Sequence, residues 1–200
     1  MATRWRDPLV GREILFGVAA GVGLIGVQLA LLVPAALGAP PRVIMSISLR
    51  ALLGATATLG ELCELQFGAI QSGLFYLFVL TFLRVVLRGR RLAAAAFVAF
   101  LAVFTATFTA QMGGGGHPVD WLVSVAAGVA YLALLTRVGL LAMVVAIQLQ
   151  LLTLFFPWAS FDPSEWPGGL ILLLLLPVGL AMYGLVIARG GQPLFTAEVE

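Results

Sequence analysis

Hydrophobic residues are collected into six stretches, each long enough or nearly long enough to cross the roughly 30 Å hydrocarbon layer of a membrane as a helix. The six stretches are residues 14–33, 66–87, 92–111, 121–136, 138–156 and 169–188. The fourth and fifth are the shortest and meet at Arg137, so each needs flanking residues to cross. The pattern predicts an all-α fold: a polytopic membrane helix bundle with six transmembrane helices, occupying residues 1–200 as a single integral membrane domain.

The segment 44–64 is also apolar, but it carries polar residues on one side. At about 100° per residue these positions fall within roughly 80° of one another on a helix. They are Ser46, Arg50, Gly54, Glu61 and Glu64. The stripe predicts an additional external helix, interfacial or partly inserted, with its polar side towards water or a wet cavity. The alternative is that the segment forms a seventh crossing.

The arginines favour six crossings. With a cytoplasmic N-terminus, nine of the eleven fall on the cytoplasmic side, and only Arg42 and Arg50 fall outside. This distribution follows the positive-inside rule. A seventh crossing would separate the N-terminal arginines from the strongest predicted cytoplasmic anchor, which is formed by Arg84, Arg88, Arg90 and Arg91. We therefore predict a multi-pass protein of the bacterial cytoplasmic membrane with both termini in the cytoplasm.

Composition agrees with a membrane protein and changes the interpretation of the charge. Mean hydropathy is +1.10, and 10% of residues are charged, against about a quarter in soluble proteins. The pI near 9.2 and the net charge of +2 could indicate nucleic-acid binding. However, the arginines flank apolar spans and form no continuous patch with interleaved aromatics. The expected partner is the lipid bilayer, with its anionic headgroups, and not nucleic acid.

Glycines in the first span predict close helix packing. Gly17 and Gly21 have the small-xxx-small spacing that lets two helix backbones approach closely. The partner helix could belong to the same chain, or to a protein partner or second copy that binds this face. We favour packing within the chain.

The residues that could perform chemistry are scattered. Cys63 is the single cysteine and His117 the single histidine, three residues before Asp120. Catalytic zinc takes three protein ligands, which this set does not supply. We predict no catalytic residue, no metal site and no cofactor.

Two groups of polar residues are the candidate sites. The candidate external face consists of Arg50, Glu61, Glu64, His117 and Asp120. Its glutamates predict either a cation- or proton-responsive patch or the ordinary polar side of an interfacial helix. Asp120 is also a plausible N-cap of the fourth span. The candidate intramembrane residues Gln28, Gln148 and Gln150 line a polar path or make hydrogen bonds between helices.

Several short stretches together resemble the C-terminal membrane region of certain large bacterial serine/threonine protein kinases. They are residues 6–12 (RDPLVGR), 137–141 (RVGLL), Phe156-Pro157 with Trp166, Tyr183-Gly184 and residues 190–195 (GGQPLF). In that family the kinase domain precedes the membrane region on the cytoplasmic side. Here the glycine-rich loop and the kinase catalytic motifs are missing, so no kinase residue is carried over. The resemblance implies a membrane module that anchors or informs a signalling protein.

Two functional hypotheses follow from these observations. The first is a non-enzymatic integral membrane module with an anchoring, sensing or assembly role for a signalling protein. The second is a small transporter or channel subunit, in which Glu61, Gln148, Gln150 and Pro177 shape a polar path between helices.

Overall fold

The computed structural model describes residues 7–29, 55–111, 118–155 and 167–189, and within these ranges it contains six helices and no strand. The helices in chain order are α1 (Pro8–Leu29), α2 (Ala55–Leu87), α3 (Arg90–Gln111), α4 (Pro118–Ala133), α5 (Leu140–Phe155) and α6 (Pro167–Ala188). The predicted all-helical bundle is confirmed. Two candidate residues, Arg50 and His117, lie outside the described ranges.

The bundle has the dimensions and the surface of a membrane protein. Four segments are long and apolar enough to cross a membrane, namely Pro8–Gln28, Thr56–Leu87, Arg90–Thr107 and Pro118–Val138. Leu140–Thr153 and Leu175–Ala188 are shorter apolar helical segments. Large apolar side chains stay exposed on the outer faces, among them Phe67 at 68% and Val186 at 67%. Soluble monomers rarely expose extended apolar patches, so this surface suits lipid.

The helix α2 begins earlier than the predicted second span, which starts at residue 66. Ala55–Leu87 is one continuous helix of 33 residues, so residues 55–64 extend the second span directly and are not a separate helix. Residues 44–54 of the predicted external helix lie outside the described ranges. The continuity has a local cause: no proline occurs in this stretch, and Leu62, Glu64 and Gln66 are good helix formers.

The helix α5 is the centre of the bundle. It packs against both α1 and α2, and its side chains from Val145 to Gln150 are all buried. The helix α6 packs against α1, whereas α3 packs between α2 and α4. Because α5 has 16 residues and no charged one, it can be enclosed by other helices without burying a charge.

Glycines allow α1 to approach α5 closely. A Cβ atom added at Gly17 would lie 2.6 Å from the carbonyl oxygen of Ala142, and one added at Gly21 would lie 2.9 Å from Leu149 Cδ1. The face with small-xxx-small spacing is thus filled by a helix of the same chain.

The contacts also fix the relative directions of the helices. Gly17 lies against Ala142, and Gly21 against Leu149, so α1 and α5 are parallel. Gly73 lies against Val144 whereas Gly68 lies against Leu151, so α2 is antiparallel to α5 and therefore to α1. As a result, Leu29 at the end of α1 and Ala55 at the start of α2 lie at the same end of the bundle. The arginine pattern predicts the same arrangement, with the end of the first span and the start of the second on one side of the membrane.

A π-helical turn, Leu134–Val138, follows α4 directly. The amide of Gly139 donates to the Leu134 carbonyl at 2.9 Å, and the φ angle of Gly139 is +145°. This turn extends the fourth span to Val138 and reverses the chain into α5. The fourth predicted span, residues 121–136, therefore gains flanking residues at both ends, since its helix begins at Pro118 and continues to Val138.

Candidate functional site

One end of the bundle carries every arginine in the described part of the chain. Gly11 of α1 lies against Gly184 and Ala188 of α6, and Glu13 lies against Gly139. The antiparallel pairs α2–α5 and α3–α4 bring the turn between α2 and α3 to the same end. The arginines gathered there are Arg12, Arg84, Arg88, Arg90, Arg91, Arg137 and Arg189. We call this the arginine end.

Two described carboxylates share the arginine end. Asp7 caps α1, since its Oδ1 accepts a hydrogen bond from the Leu9 amide at 3.0 Å. Glu13 lies against the joint before α5, where a Cβ atom added to Gly139 would be 2.9 Å from Glu13 Oε1. Negative charge near a helix N-terminus is favourable, so this position suits the carboxylate. Glu13 thereby links α1 to the joint between α4 and α5.

The opposite end is acidic. Its described charged residues are Glu61, Glu64 and Asp120, with no described arginine beside them. We call it the acidic end. The predicted external face is thus assembled in part, because three of its five members share this end of the bundle.

The two glutamates of the acidic end occupy different environments. Glu61 is buried and belongs to an inward-facing stripe of α2, with Thr58, Leu65 and Ala69 at steps of three or four residues. Glu64 is exposed. Glu61 therefore lies between helices and not on an open interfacial surface, and the predicted pair divides into one inward and one outward carboxylate.

Asp120 lies within the first turn of α4 and is 3% exposed. Its predicted role as N-cap is wrong, because the helix begins two residues earlier at Pro118. Proline is favoured at the first helical position, where its missing amide costs no hydrogen bond. The buried carboxylate still lies at the positive end of the α4 dipole.

The interior holds a hydrogen bond between helices. The hydroxyl of Tyr131 in α4 donates to Oε1 of Gln150 in α5. Tyr76 of α2 lies beside them, with its ring centroid 5.6 Å from that of Tyr131. Gln150 therefore matches the hydrogen-bonding alternative, joining α5 to α4 in the packed core.

Gln148 behaves differently from Gln150. It is 2% exposed, and neither Nε2 nor Oε1 has a hydrogen-bond partner. Gln28 of α1 likewise has a buried Oε1 without a partner. On the α5 surface Gln148 is flanked by Val144 and Leu151, which are the residues that pack on the glycines of α2. The three glutamines do not form one hydrogen-bonded chain among the described residues.

Sequence reasoning missed Glu13, Tyr76 and Tyr131. A signal for the tyrosines existed, because a hydroxyl inside an apolar span requires a partner. Glu13 stands among the N-terminal arginines and borders the first span, and nothing in the local pattern connects it with Gly139. Among described residues, no group of three His, Cys, Asp or Glu side chains could hold a metal ion.

No family model matches the chain, and no curated protein or solved structure matches it either. The resemblance to kinase membrane regions therefore remains a prediction from the quoted stretches.

Proposed function

We propose that this chain is a non-enzymatic module of the bacterial cytoplasmic membrane, with its arginine end in the cytoplasm, that anchors or informs a signalling protein. The observation that supports the proposal is the segregation of charge along the bundle axis. All seven described arginines lie at one end, together with two carboxylates, and the other three described carboxylates lie at the opposite end. Under the positive-inside rule the arginine end faces the cytoplasm, where the partner domain would stand.

Close packing also favours an anchoring or sensing role. The helix α5 is enclosed by its neighbours, and glycine contacts hold α1 tightly against both α5 and α6. In such a bundle the helices shift as rigid units, so a displacement at one end is transmitted to the other end. Tight packing also disfavours the opening of a solute pathway between the helices. The kinase resemblance gives the same class of partner, a cytoplasmic signalling protein.

Reporter fusions test the orientation. A fusion at Gly89 should report the cytoplasm and a fusion at Gly115 the opposite side. The proposed topology fails if both report the same side or if Gly115 reports the cytoplasm.

Site-specific photo-cross-linking in living cells tests the partner. A cross-linking residue at Arg137, exposed at the arginine end, should give a discrete adduct with a cytoplasmic protein. The matched position is Trp121, which is 49% exposed near the acidic end and should give no such adduct. Equal adducts from the two positions, or none from Arg137, would contradict an anchoring role at the cytoplasmic face.

A small transporter or channel subunit is the second candidate function. One observation favours it: the Gln148 amide is enclosed without a partner, as expected of a group that pairs with a passing solute. Purified chain in liposomes should then conduct or exchange a small polar solute, and Gln148→Leu should abolish the flux. No flux from a folded chain for ions or small polar solutes would remove this candidate.

A further inference from the structure

The turn between α2 and α3 concentrates positive charge. Arg84 lies in the last turn of α2, Arg88 follows its end, and Arg90 and Arg91 begin α3; all four side chains are exposed. The turn is tight, with Arg88 in a left-handed conformation at φ 50°. No Asp or Glu occurs anywhere between Glu64 and Asp120. The local chain therefore offers these four charges no counter-ion.

Two of the charges are in an electrostatically unfavourable place. Arg90 and Arg91 stand in the first turn of α3, which contains no acidic residue. A helix N-terminus carries a partial positive charge and free amides, so cations are disfavoured there and anions are favoured. The first α3 amide with a backbone acceptor in the preceding turn is that of Ala93, which donates to the Gly89 carbonyl at 2.9 Å. An anion at this turn would pair with the guanidinium groups and with the free amides before Ala93.

Apolar side chains flank the same turn. Val85 is 72% exposed, Val86 55% and Leu92 58%. Each lies within one helical turn of an arginine in the cluster. A free phosphate would leave these side chains uncovered, whereas the acyl chains of a lipid would cover them while its headgroup met the arginines.

We propose that the α2–α3 turn is a binding site for a phospholipid with two phosphates, such as cardiolipin. Four guanidinium groups without a local counter-ion match two phosphates better than one, because each phosphate can accept paired hydrogen bonds from arginine. Basic clusters beside membrane helices are suited to such headgroups. The site does not depend on the orientation or on the signalling role proposed above.

Native mass spectrometry of the delipidated full chain in neutral detergent tests the site. Cardiolipin is titrated against phosphatidylglycerol, phosphatidylcholine and inorganic phosphate as probes. We expect one cardiolipin to be retained, and the triple variant Arg88→Gln, Arg90→Gln, Arg91→Gln to raise its Kd by about 100-fold. The matched control Arg12→Gln, Arg137→Gln, Arg189→Gln removes the same charge from the same end of the bundle and should raise the Kd by less than about fivefold.

Three results would overturn the proposal. Equal losses in the two triple variants would indicate general headgroup attraction, equal affinity for phosphatidylglycerol would indicate a site for one phosphate, and binding of inorganic phosphate alone would exclude a lipid site. Circular dichroism checks that each variant is folded. If the first triple variant unfolds, Arg91→Gln alone replaces it, with Arg137→Gln as its control and an expected rise in Kd of about fivefold.

Discussion

Two glycines of α1 differ sharply in what surrounds them. Gly17 is pressed against the backbone of α5, where an added Cβ would meet the Ala142 carbonyl oxygen at 2.6 Å and Val145 Cβ at 2.8 Å. At Gly23 nothing lies within 4 Å. Because backbone atoms cannot move aside as a flexible side chain can, the two positions should respond oppositely to the same added methyl group.

We expect Gly17→Ala to destabilise the folded chain by about 1–3 kcal/mol, since α1 and α5 must separate to admit the methyl group. The control Gly23→Ala should be neutral, or stabilising by up to about 1 kcal/mol, because alanine favours the helix. Unfolding by sodium dodecyl sulfate in mixed micelles, followed by circular dichroism, measures both. Equal stability of the two variants would mean that α1 does not pack on α5 through Gly17.

Gln148 and Gln150 offer a second matched comparison, because both are buried but only Gln150 has a partner. Gln148→Leu removes two unsatisfied polar groups and should stabilise the fold by about 1–3 kcal/mol. Gln150→Leu strands the Tyr131 hydroxyl and should destabilise it by about 1–2 kcal/mol.

The same unfolding assay measures these two variants. A loss of stability in Gln148→Leu would show that the amide has a partner in the folded protein, such as an internal water or a solute. That result would strengthen the transporter candidate.

At the scale of the element, α2 is longer than a membrane requires. Its 33 residues extend over about 50 Å, against roughly 30 Å of hydrocarbon. If Arg84 marks one edge of the hydrocarbon, about 20 residues place the other edge near Glu64. The N-terminal turns of α2 then project beyond the acidic edge, which places Glu61 outside the hydrocarbon and Glu64 at its border.

The joint between α4 and α5 combines backbone conformation with a side-chain contact. Gly139 has φ +145°, which residues with a side chain rarely adopt, and Glu13 fills the space that a Cβ would take. We expect Gly139→Ala to destabilise the fold by about 1–3 kcal/mol.

A double-mutant cycle separates the two causes at this joint. Glu13→Ala combined with Gly139→Ala should recover the steric part of the loss and leave the backbone strain, giving a coupling of about 0.5–2 kcal/mol. If the stability changes of the two single variants simply add up in the double variant, the contact between Glu13 and Gly139 is contradicted.

For the whole molecule, the difference in charge between the arginine end and the acidic end predicts how the bundle is oriented in the membrane. Cys63 provides a probe already present in the chain, since it is the single cysteine and is exposed beside the two glutamates. In intact cells a membrane-impermeant maleimide should label Cys63, because the acidic end is expected to face outward.

The control moves the cysteine to the other end. The double variant Cys63→Ser, Gly89→Cys should be labelled only after the cells are opened. Labelling of Gly89→Cys in intact cells, with Cys63 protected, would invert the proposed orientation.

Much of the fold is accessible from the chain alone, because membrane helices need long apolar stretches and arginines collect on one side of them. The six stretches and the arginine pattern predict the helices and their alternation. The prediction of a separate helix over residues 55–64 is wrong, because a polar stripe looks alike on an interfacial helix and on the projecting end of a span. The candidate site was predicted only in part for a similar reason: local sequence shows that Glu61 and Glu64 are polar, but not which one faces inward.

The residues of the chain are enough to predict the composition of the helices, which helix ends share a side and on which side the arginines collect, since each depends on residues close together in the chain. The packing of the helices is needed to show which helix fills the Gly17 face, which glutamine has a partner and where Glu13 lies. These depend on contacts between residues distant in sequence. In an apolar bundle almost every helix face is hydrophobic, so hydrophobicity does not determine which helices pack together. The fit of glycines against small residues, and of polar groups against each other, determines it.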